Sequence, residues 1–141
     1  MIIMSVDLGK ARTGIAVCDA TQTLASPVTT LKEYNPDRLL EKVAQLAVEK
    51  KAEMLVVGLP KNMDGTEGES AQNAREFAAR LQELTGLDTD MQDERGTTIT
   101  AHGFLNQTNT RGKKRKDVID TVSAVIILED YLARRRACGG R

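Results

Sequence analysis

The chain has 141 residues, of which 40% are hydrophobic and 28% are charged, and its 20 basic and 20 acidic side chains balance. This length and composition are typical of one globular domain and unlike a disordered or membrane-embedded chain, so we expect a single domain over residues 1–141. The neutral total excludes a uniformly basic coat for nucleic acid. The charges are segregated, however: residues 1–110 have 11 basic and 16 acidic side chains, whereas residues 111–141 have 9 and 4.

Three opening strands are predicted from short apolar runs separated by turns. Apolar runs over 1–8 and 13–19 flank the turn at 9–12, a pattern typical of a β-hairpin, and the β-branched segment at 25–31 predicts a third strand. A helix then follows up to about residue 50, because Asn35 can cap it, Pro36 suits its first position, and apolar residues recur at helical spacing.

The rest of the chain alternates between strands and helices. The apolar run at 54–60 predicts a strand covered on both faces, followed by a loop at 61–68, a helix at 71–84 that stops at Gly86, and a strand at 87–92. A short helix from 97 or 98 to about 105, a mobile basic loop at 106–116 and a last helix at about 116–135 complete the prediction. The core-facing residues of that last helix are expected to be Ile119, Val122, Val125, Ile126 and Tyr131. The order predicts an α/β fold with a mixed five-stranded sheet flanked by helices, whose three opening strands are antiparallel.

Cysteine and histidine are scarce. Cys18 and Cys138 are far apart in the chain and we expect no secretory leader, which favours a reducing, cytoplasmic environment over a disulfide framework. Cys18 is expected to be a small buried hydrophobic residue and Cys138 an inert thiol. A Cys/His zinc site would need more ligands than the chain has, and a Ser–His–Asp triad would depend on His102 alone. The sequence therefore favours carboxylate chemistry.

Three acidic residues lie at strand or helix positions that differ from those of ordinary solvated carboxylates on helix surfaces. Asp7 lies in an apolar strand, where an unpaired carboxylate is costly to bury; Glu94 follows the fifth predicted strand; and Asp120 lies one turn into the last helix. In an α/β domain such residues can converge at one rim of the sheet, although each could instead be a capping or ion-paired acid. Asp93 and Asp117 are weaker candidates, since Asp93 would point away from Glu94 and an acid in the first helical turn simply suits the helix dipole.

Clustered carboxylates repel one another unless a cation neutralises them. Mg²⁺ or Mn²⁺ prefers oxygen ligands, and two such ions about 4 Å apart can activate a water and stabilise the leaving oxygen of a phosphodiester. The acids therefore predict metal-dependent hydrolysis of nucleic acid. A basic run could supply the phosphate contacts, although it could also be a solvated charge run. The run consists of Arg111, Lys113, Lys114, Arg115 and Lys116.

Four segments resemble the YqgF (RuvX) family, in the family's order. They are DLGKARTGIA at 7–16, GLP at 58–60 with DG at 64–65, DER at 93–95 with TT at 97–98, and IDTVSAVIIL at 119–128. The resemblance implies a ribonuclease H-like fold, and the family's members are described as pre-16S rRNA nucleases and, earlier, as Holliday-junction resolvases. It also implies a cytoplasmic role in trimming the 5′ end of the small-subunit rRNA precursor.

The resemblance carries over to individual residues. It implies that Asp7, Glu94 and Asp120 are the metal-binding acids. Four further residues match motif positions and are expected to contact the nucleic acid: Arg12, Lys61, Asn62 and Arg95. Ribonuclease H-like enzymes often use four carboxylates, and this chain offers three, so a second metal ion is less well supported than the first.

Three alternatives stay open. The first is a homodimeric resolvase acting on branched DNA, because nothing in the sequence reads a 2′-hydroxyl and phosphate contacts do not distinguish RNA from DNA. The second is an actin-like ATPase, whose members also open with an Asp-x-Gly hairpin, but those proteins use two lobes and this chain has the length of one. The third is a non-catalytic RNA-binding module in which the acids only pack.

Overall fold

A computed structural model describes residues 1–9, 12–21, 24–60, 66–93 and 112–137, with side chains of the last segment described for 122–136 only. Within these residues the chain forms five strands and three helices. The strands are β1 (Ile3–Asp7), β2 (Arg12–Cys18), β3 (Ala25–Lys32), β4 (Met54–Leu59) and β5 (Asp88–Asp93), and the helices are α1 (Pro36–Glu49), α2 (Glu69–Thr85) and α3 (Gly112–Ala137).

The strands form one mixed sheet in the order β3-β2-β1-β4-β5. Strands β1, β2 and β3 are antiparallel neighbours, whereas β4 is parallel to both β1 and β5. This confirms the predicted five-stranded mixed sheet with three antiparallel opening strands. Because β1, β4 and β5 are parallel, their carboxyl ends lie at the same edge of the sheet.

Helices cover both faces of the sheet. On one face, α1 and α2 pack against alternate residues of the central strands; this cluster includes Met4, Val6, Ile15, Leu55, Val57, Leu39, Val43, Phe77 and Leu81. On the other face, α3 is the one helix of the described residues that packs; this cluster includes Ile3, Ala16, Cys18, Val56, Ala124, Ile127, Leu128, Tyr131 and Leu132. Neighbouring residues of β1 thus belong to opposite clusters, as the pleat of a strand requires.

The ends of α1 and α2 follow the sequence prediction. The side chain of Asn35 accepts hydrogen bonds from the backbone N–H groups of Asp37 at 2.9 Å and Arg38 at 3.3 Å, with Pro36 as the first helical residue. Gly86 ends α2 in the left-handed conformation with a φ of 71°, which a residue without a Cβ adopts at little cost.

The start of α3 corrects the predicted basic loop. The helix begins at Gly112, so its first turns contain residues 113–116, which were expected to lie in a loop. Lys and Arg have high intrinsic helix propensity, and a helix turn made of them has no apolar rhythm that could reveal it. The predicted helix at 97–105 and the loop residues 61–65 and 106–111 lie outside the described residues.

The buried face of α3 is also rotated relative to the prediction. Val122, Val125 and Ile126 are only half-buried, and the buried side chains are those of Ser123, Ala124, Ile127, Leu128, Tyr131 and Leu132. Residues 122–128 are almost continuously apolar, so their periodicity leaves the orientation of the helix undetermined. No described helix is both long and apolar enough to cross a membrane.

Cys18 is buried, as predicted, with 4% of its surface exposed. Its Sγ accepts a hydrogen bond from the backbone N–H of Ile3 at 3.2 Å and lies 3.6 Å from the carbonyl oxygen of Met1. Burial raises the pKa of the Cys18 thiol, which keeps it protonated and unreactive at neutral pH.

We expect Cys18 to resist alkylation in the folded protein at pH 8, because the raised pKa keeps the nucleophilic thiolate scarce and the side chain is inaccessible. Iodoacetamide labelling followed by mass spectrometry of the peptide that contains Cys18 would measure this, with urea-unfolded protein as the control. Equal labelling rates in the folded and unfolded protein would contradict the prediction.

Candidate functional site

Asp7 lies where the parallel strands end. It is the last residue of β1, the middle strand of the sheet, it pairs with Gly14 of β2, and it is half-buried. Beside it β4 ends at Leu59, which pairs with Asp93, the last residue of β5. The edge of the sheet that contains Asp7 is therefore the edge at which β4 and β5 also end.

The turn that follows Asp7 requires a glycine at position 9. A Cβ atom added to Gly9 would lie 2.2 Å from the backbone carbonyl oxygen of Arg12. A main-chain atom at the start of a strand cannot move aside as the end of a flexible side chain can. Gly9 therefore allows the close approach through which β1 turns into β2 immediately after Asp7.

Asp7 is on the face of the sheet that α3 covers. Successive strand residues alternate between faces, and Met4 and Val6 belong to the cluster under α1 and α2. Ser5 is fully buried on the opposite face, and its hydroxyl donates a 2.7 Å hydrogen bond to the backbone carbonyl of Ala124 in α3. Asp7 is two residues beyond Ser5, so it shares that face.

Helix α3 runs antiparallel to β1. Ala124 lies over Ser5, whereas the hydroxyl of Tyr131, two turns later, is 3.8 Å from the Sδ of Met54, the first residue of β4. The carboxyl half of the helix therefore covers the beginnings of the parallel strands, and its amino half extends toward the edge where they end.

This direction predicts the height of the backbone of Asp120 relative to Asp7. Asp120 precedes Ala124 by one helical turn, about 6 Å along the helix axis, and Asp7 follows Ser5 by two residues, about 6.6 Å along the strand. Both steps start from the Ser5–Ala124 hydrogen bond and point the same way. Ideal geometry therefore predicts that these two acids, 113 positions apart in the chain, have backbones at about the same height on α3 and β1.

The carboxyl half of α3 is fixed by a second set of contacts. The hydroxyl of Tyr131 is 2.9 Å from the Oδ2 of Asp90 in β5, and burial raises the pKa of this phenol, so it stays a donor. Arg134 also contacts Asp90 Oδ2 and the carbonyl of Met91, both at 3.3 Å, and its guanidinium lies 4.9 Å from the centre of the Tyr131 ring. Helix α3 is thus held to the sheet at Ala124, Tyr131 and Arg134.

The other predicted site residues are described in part. Arg12 is the half-buried first residue of β2, paired with Lys32 of β3. Lys113, Lys114, Arg115 and Lys116 occupy the first turns of α3, where only the backbone is described. Five predicted residues lie outside the described part of the chain: Lys61, Asn62, Glu94, Arg95 and Arg111.

No metal-ligating cluster is found among the described side chains. Groups of three or more His, Cys, Asp or Glu residues that could hold an ion do not occur in that part of the molecule. The side chains of Glu94 and Asp120 do not belong to it. The predicted set of three acids therefore remains a prediction, of which the structure places Asp7 and the backbone of Asp120.

Sequence reasoning missed Ser5. Its signal was a hydroxyl two positions before Asp7 in an otherwise apolar strand, which assigns it to the same face as Asp7. Because a buried hydroxyl needs a partner, this pattern could have indicated a hydrogen bond to the element that covers that face.

Comparison with known proteins identifies the family. The RuvX model, described as "Holliday junction resolvase", matches residues 1–134. The chain belongs to the RuvX family. A RuvX relative from Nitrosospira multiformis named "Putative pre-16S rRNA nuclease" is 40% identical over 134 residues, which cover 95% of this chain and 89% of the relative. A Clostridium botulinum relative of the same name is 37% identical over 95% and 98% of the two chains.

Solved structures show the same fold. This RuvX chain is similar to Thermus thermophilus RuvC in complex with a Holliday junction substrate, with a TM-score of 0.62 and 11% identity over 97% of this chain and 96% of that one. It is also similar to the fowlpox virus Holliday junction resolvase, with a TM-score of 0.57 and 13% identity over 95% and 99%. These likenesses confirm the ribonuclease H-like fold.

We expect Gly9→Ala to lower the free energy of unfolding by about 1–3 kcal/mol, because the new methyl group forces the backbone at Arg12 to shift. Equilibrium urea unfolding would measure the loss. Gly68→Ala is the control, since a Cβ there meets no atom within 4 Å and only the helix-cap preference changes, at a cost of at most about 1 kcal/mol. A Gly9→Ala protein as stable as the wild type would contradict the close approach.

Ser5→Ala should cost about 0.5–1.5 kcal/mol of unfolding free energy, because it removes the hydrogen bond to Ala124. Ser26→Ala, at a half-buried position of edge strand β3, is the matched control and should cost less. The two variants can be compared by urea unfolding with the same fluorescence or circular dichroism signal. An equal effect of the two substitutions would argue against a specific tie between β1 and α3.

Proposed function

We propose that this RuvX protein is a metal-dependent nuclease that hydrolyses phosphodiester bonds in structured RNA, processing the 5′ end of the pre-16S rRNA in the cytoplasm. The observation that carries the proposal is the hydrogen bond from Ser5 of β1 to Ala124 of α3. It supports the proposal because ideal strand and helix geometry, counted from that bond, predicts similar heights for Asp7 and Asp120 near the carboxyl edge of the parallel strands. The names of the curated relatives support the choice of substrate.

Glu94 is the third acid of the proposed centre. It follows Asp93, which ends β5 two strands away from β1, and neighbouring strands are about 4.8 Å apart. Two strand spacings amount to about 10 Å between the strand axes. Two carboxylate side chains that extend toward each other, with a cation bound between them, can span this distance. The oxygen donors of Asp7, Glu94 and Asp120 suit Mg²⁺ or Mn²⁺.

These acids would hold the metal, and we propose a two-ion site. The ions supply Lewis-acid activation of water and of the phosphodiester. The protein's own contribution is to fix the carboxylates: β1 and Gly9 hold Asp7, and the Ser5 hydrogen bond sets the height of α3. A half-buried carboxylate beside other acids is repelled by them unless a cation is bound. Binding of a metal ion would therefore stabilise this set of three carboxylates.

The basic start of α3 is proposed to bind the substrate's phosphates. Residues 113–116 precede Asp120 on the same helix, and the positive end of the helix dipole adds to their charge. Phosphates bound there would lie within a few helical turns of the metal centre. Further proposed contacts to nucleic acid come from Arg12, Lys61, Asn62, Arg95 and Arg111.

A second candidate function is cleavage of branched DNA. The RuvX model's description and the fold likeness to junction-bound RuvC favour it, and it requires a homodimer that presents two sites to paired strands. The two functions are separated by giving the protein an RNA that contains the 5′ region of pre-16S rRNA and a synthetic four-way DNA junction side by side, with Mn²⁺ and then with a chelator.

Cleavage of the RNA that stops with the chelator would support the proposal. Cleavage of the junction alone would replace it with the resolvase function. Cleavage of neither substrate, with RNA binding intact, would favour a non-catalytic RNA-binding module.

Asp7→Asn is expected to lower the cleavage rate at least about 100-fold, because several kcal/mol of transition-state stabilisation by the metal are lost. RNA affinity should stay the same or rise, since one negative charge near the phosphates is removed. Single-turnover cleavage and filter binding would measure the two effects. Glu49→Gln, on the exposed end of α1, is the charge-matched control, and wild-type cleavage by Asp7→Asn would contradict the assignment.

A further inference from the structure

A cavity of about 390 Å³ opens beside the turn that follows Asp7, on the side of the sheet that α1 and α2 cover. Its wall includes Leu8 and Gly9 from that turn, Tyr34 from the segment before α1, and residues of α2. Consecutive Cα atoms are about 3.8 Å apart, so Gly9 is at most about 7.6 Å from Asp7. The cavity is therefore close to the proposed cleavage point but on the opposite face of the sheet from α3.

Tyr34 stands at this cavity with 82% of its surface exposed, while the residues on either side of it are held in place. The carboxylate of Glu33 accepts hydrogen bonds from Lys42 at 2.9 Å and from the backbone N–H of Asn35 at 3.2 Å. The hydrogen bond from Lys42 lowers the pKa of Glu33, so the carboxylate is ionised at neutral pH. Asn35 in turn caps α1. The backbone on either side of Tyr34 is thus held by hydrogen bonds, which reduces the backbone entropy lost when a ligand stacks on the ring.

The charges of the cavity wall do not suit a phosphate. The wall contains two carboxylates, Glu33 and Glu76, and one guanidinium, Arg80, whereas phosphate sites need an excess of positive charge. A neutral planar group fits better. Ser70 and Asn73 lie on the exposed side of α2 in the same wall, and their hydroxyl and amide groups can donate to and accept from the edge of such a group.

We propose that this cavity binds an unstacked nucleobase of the RNA substrate, with Tyr34 as the stacking platform and Ser70 and Asn73 at the base edge. The proposal rests on the nuclease function and extends it with a specificity site. Bases splayed out of single-stranded RNA commonly stack on aromatic side chains, and a paired base cannot reach such a cavity. The protein would thus select RNA that has an unpaired nucleotide next to the scissile phosphate.

The tyrosine content of the chain provides a direct probe. The chain has no Trp and two Tyr residues, and Tyr131 is 2% exposed in the core whereas Tyr34 is in solvent. Quenching of tyrosine fluorescence by RNA therefore reports on Tyr34. The whole chain would be titrated, in chelator, with two RNA hairpins of equal nucleotide number whose paired strands are joined by a polyethylene glycol linker in place of a nucleotide loop. One hairpin has a single-stranded 5′ tail and the other is blunt-ended, so unpaired bases occur in the tail alone.

We expect the tailed hairpin to quench the fluorescence and the blunt hairpin to leave it unchanged. Tyr34→Ala should weaken binding of the tailed hairpin about 5- to 100-fold, which corresponds to about 1–3 kcal/mol for one stacked base, and should leave binding of the blunt hairpin unchanged. Tyr34→Phe keeps the ring and should keep the affinity. Val48→Ala, which alters a 78% exposed side chain of α1, is the control for a surface change elsewhere.

Equal affinity of wild type and Tyr34→Ala for the tailed hairpin would overturn the inference, as would an equal loss for both hairpins. These measurements need no metal and no cleavage, so they are independent of the catalytic test with Asp7→Asn. A protein that binds the tail through Tyr34 but cleaves no RNA would refute the nuclease function alone. A protein that cleaves RNA through Asp7 with no role for Tyr34 would refute the base site alone.

Discussion

The contact between α3 and β1 sets how the last helix lies along the middle strand of the sheet. The hydroxyl of Ser5 and the carbonyl of Ala124 join residues 119 positions apart in the chain, and because both are buried, the hydrogen bond cannot be exchanged for water without a cost. It fixes the helix along the strand direction, and Tyr131, bound to Asp90, fixes its far end. A slip of α3 by one turn would move Asp120 about 5.4 Å away from the level of Asp7, which is more than a metal centre tolerates.

The mixed sheet provides the other half of this arrangement. Parallel pairing of β1, β4 and β5 brings three strand ends to one edge, while the antiparallel hairpin returns the chain from that edge through the turn at Gly9. Asp7 is consequently placed in the middle of the sheet, half-buried between a turn that cannot take a side chain at position 9 and the face under α3. This position suits the proposed role of Asp7, since a metal ligand must be held rigidly by its surroundings.

The two faces of the sheet offer different chemistry beside the same turn. The α3 face has Asp7, and the helix on that face begins with the sequence-basic turns at 113–116. The opposite face has a cavity with a net acidic wall and an exposed ring at Tyr34, which suits an uncharged base. An RNA strand that crosses the edge of the sheet could thus bind through its backbone on one face and through a base on the other.

The sequence by itself determined the features that depend on local chemistry. Asn35 and Pro36 start α1, Gly86 ends α2, and the apolar runs around the turn at 9–12 form the hairpin, because caps, turns and alternation act over a few residues. The motifs also identified the RuvX family and singled out Asp7. Only the tertiary structure decided the buried face of α3, since its apolar residues surround the helix, and its start at Gly112, since basic side chains show no periodicity. The hydrogen bond from Ser5 to Ala124 and the cavity at Tyr34 likewise depend on elements that are distant in the chain. No local sequence pattern encodes how such elements pack together.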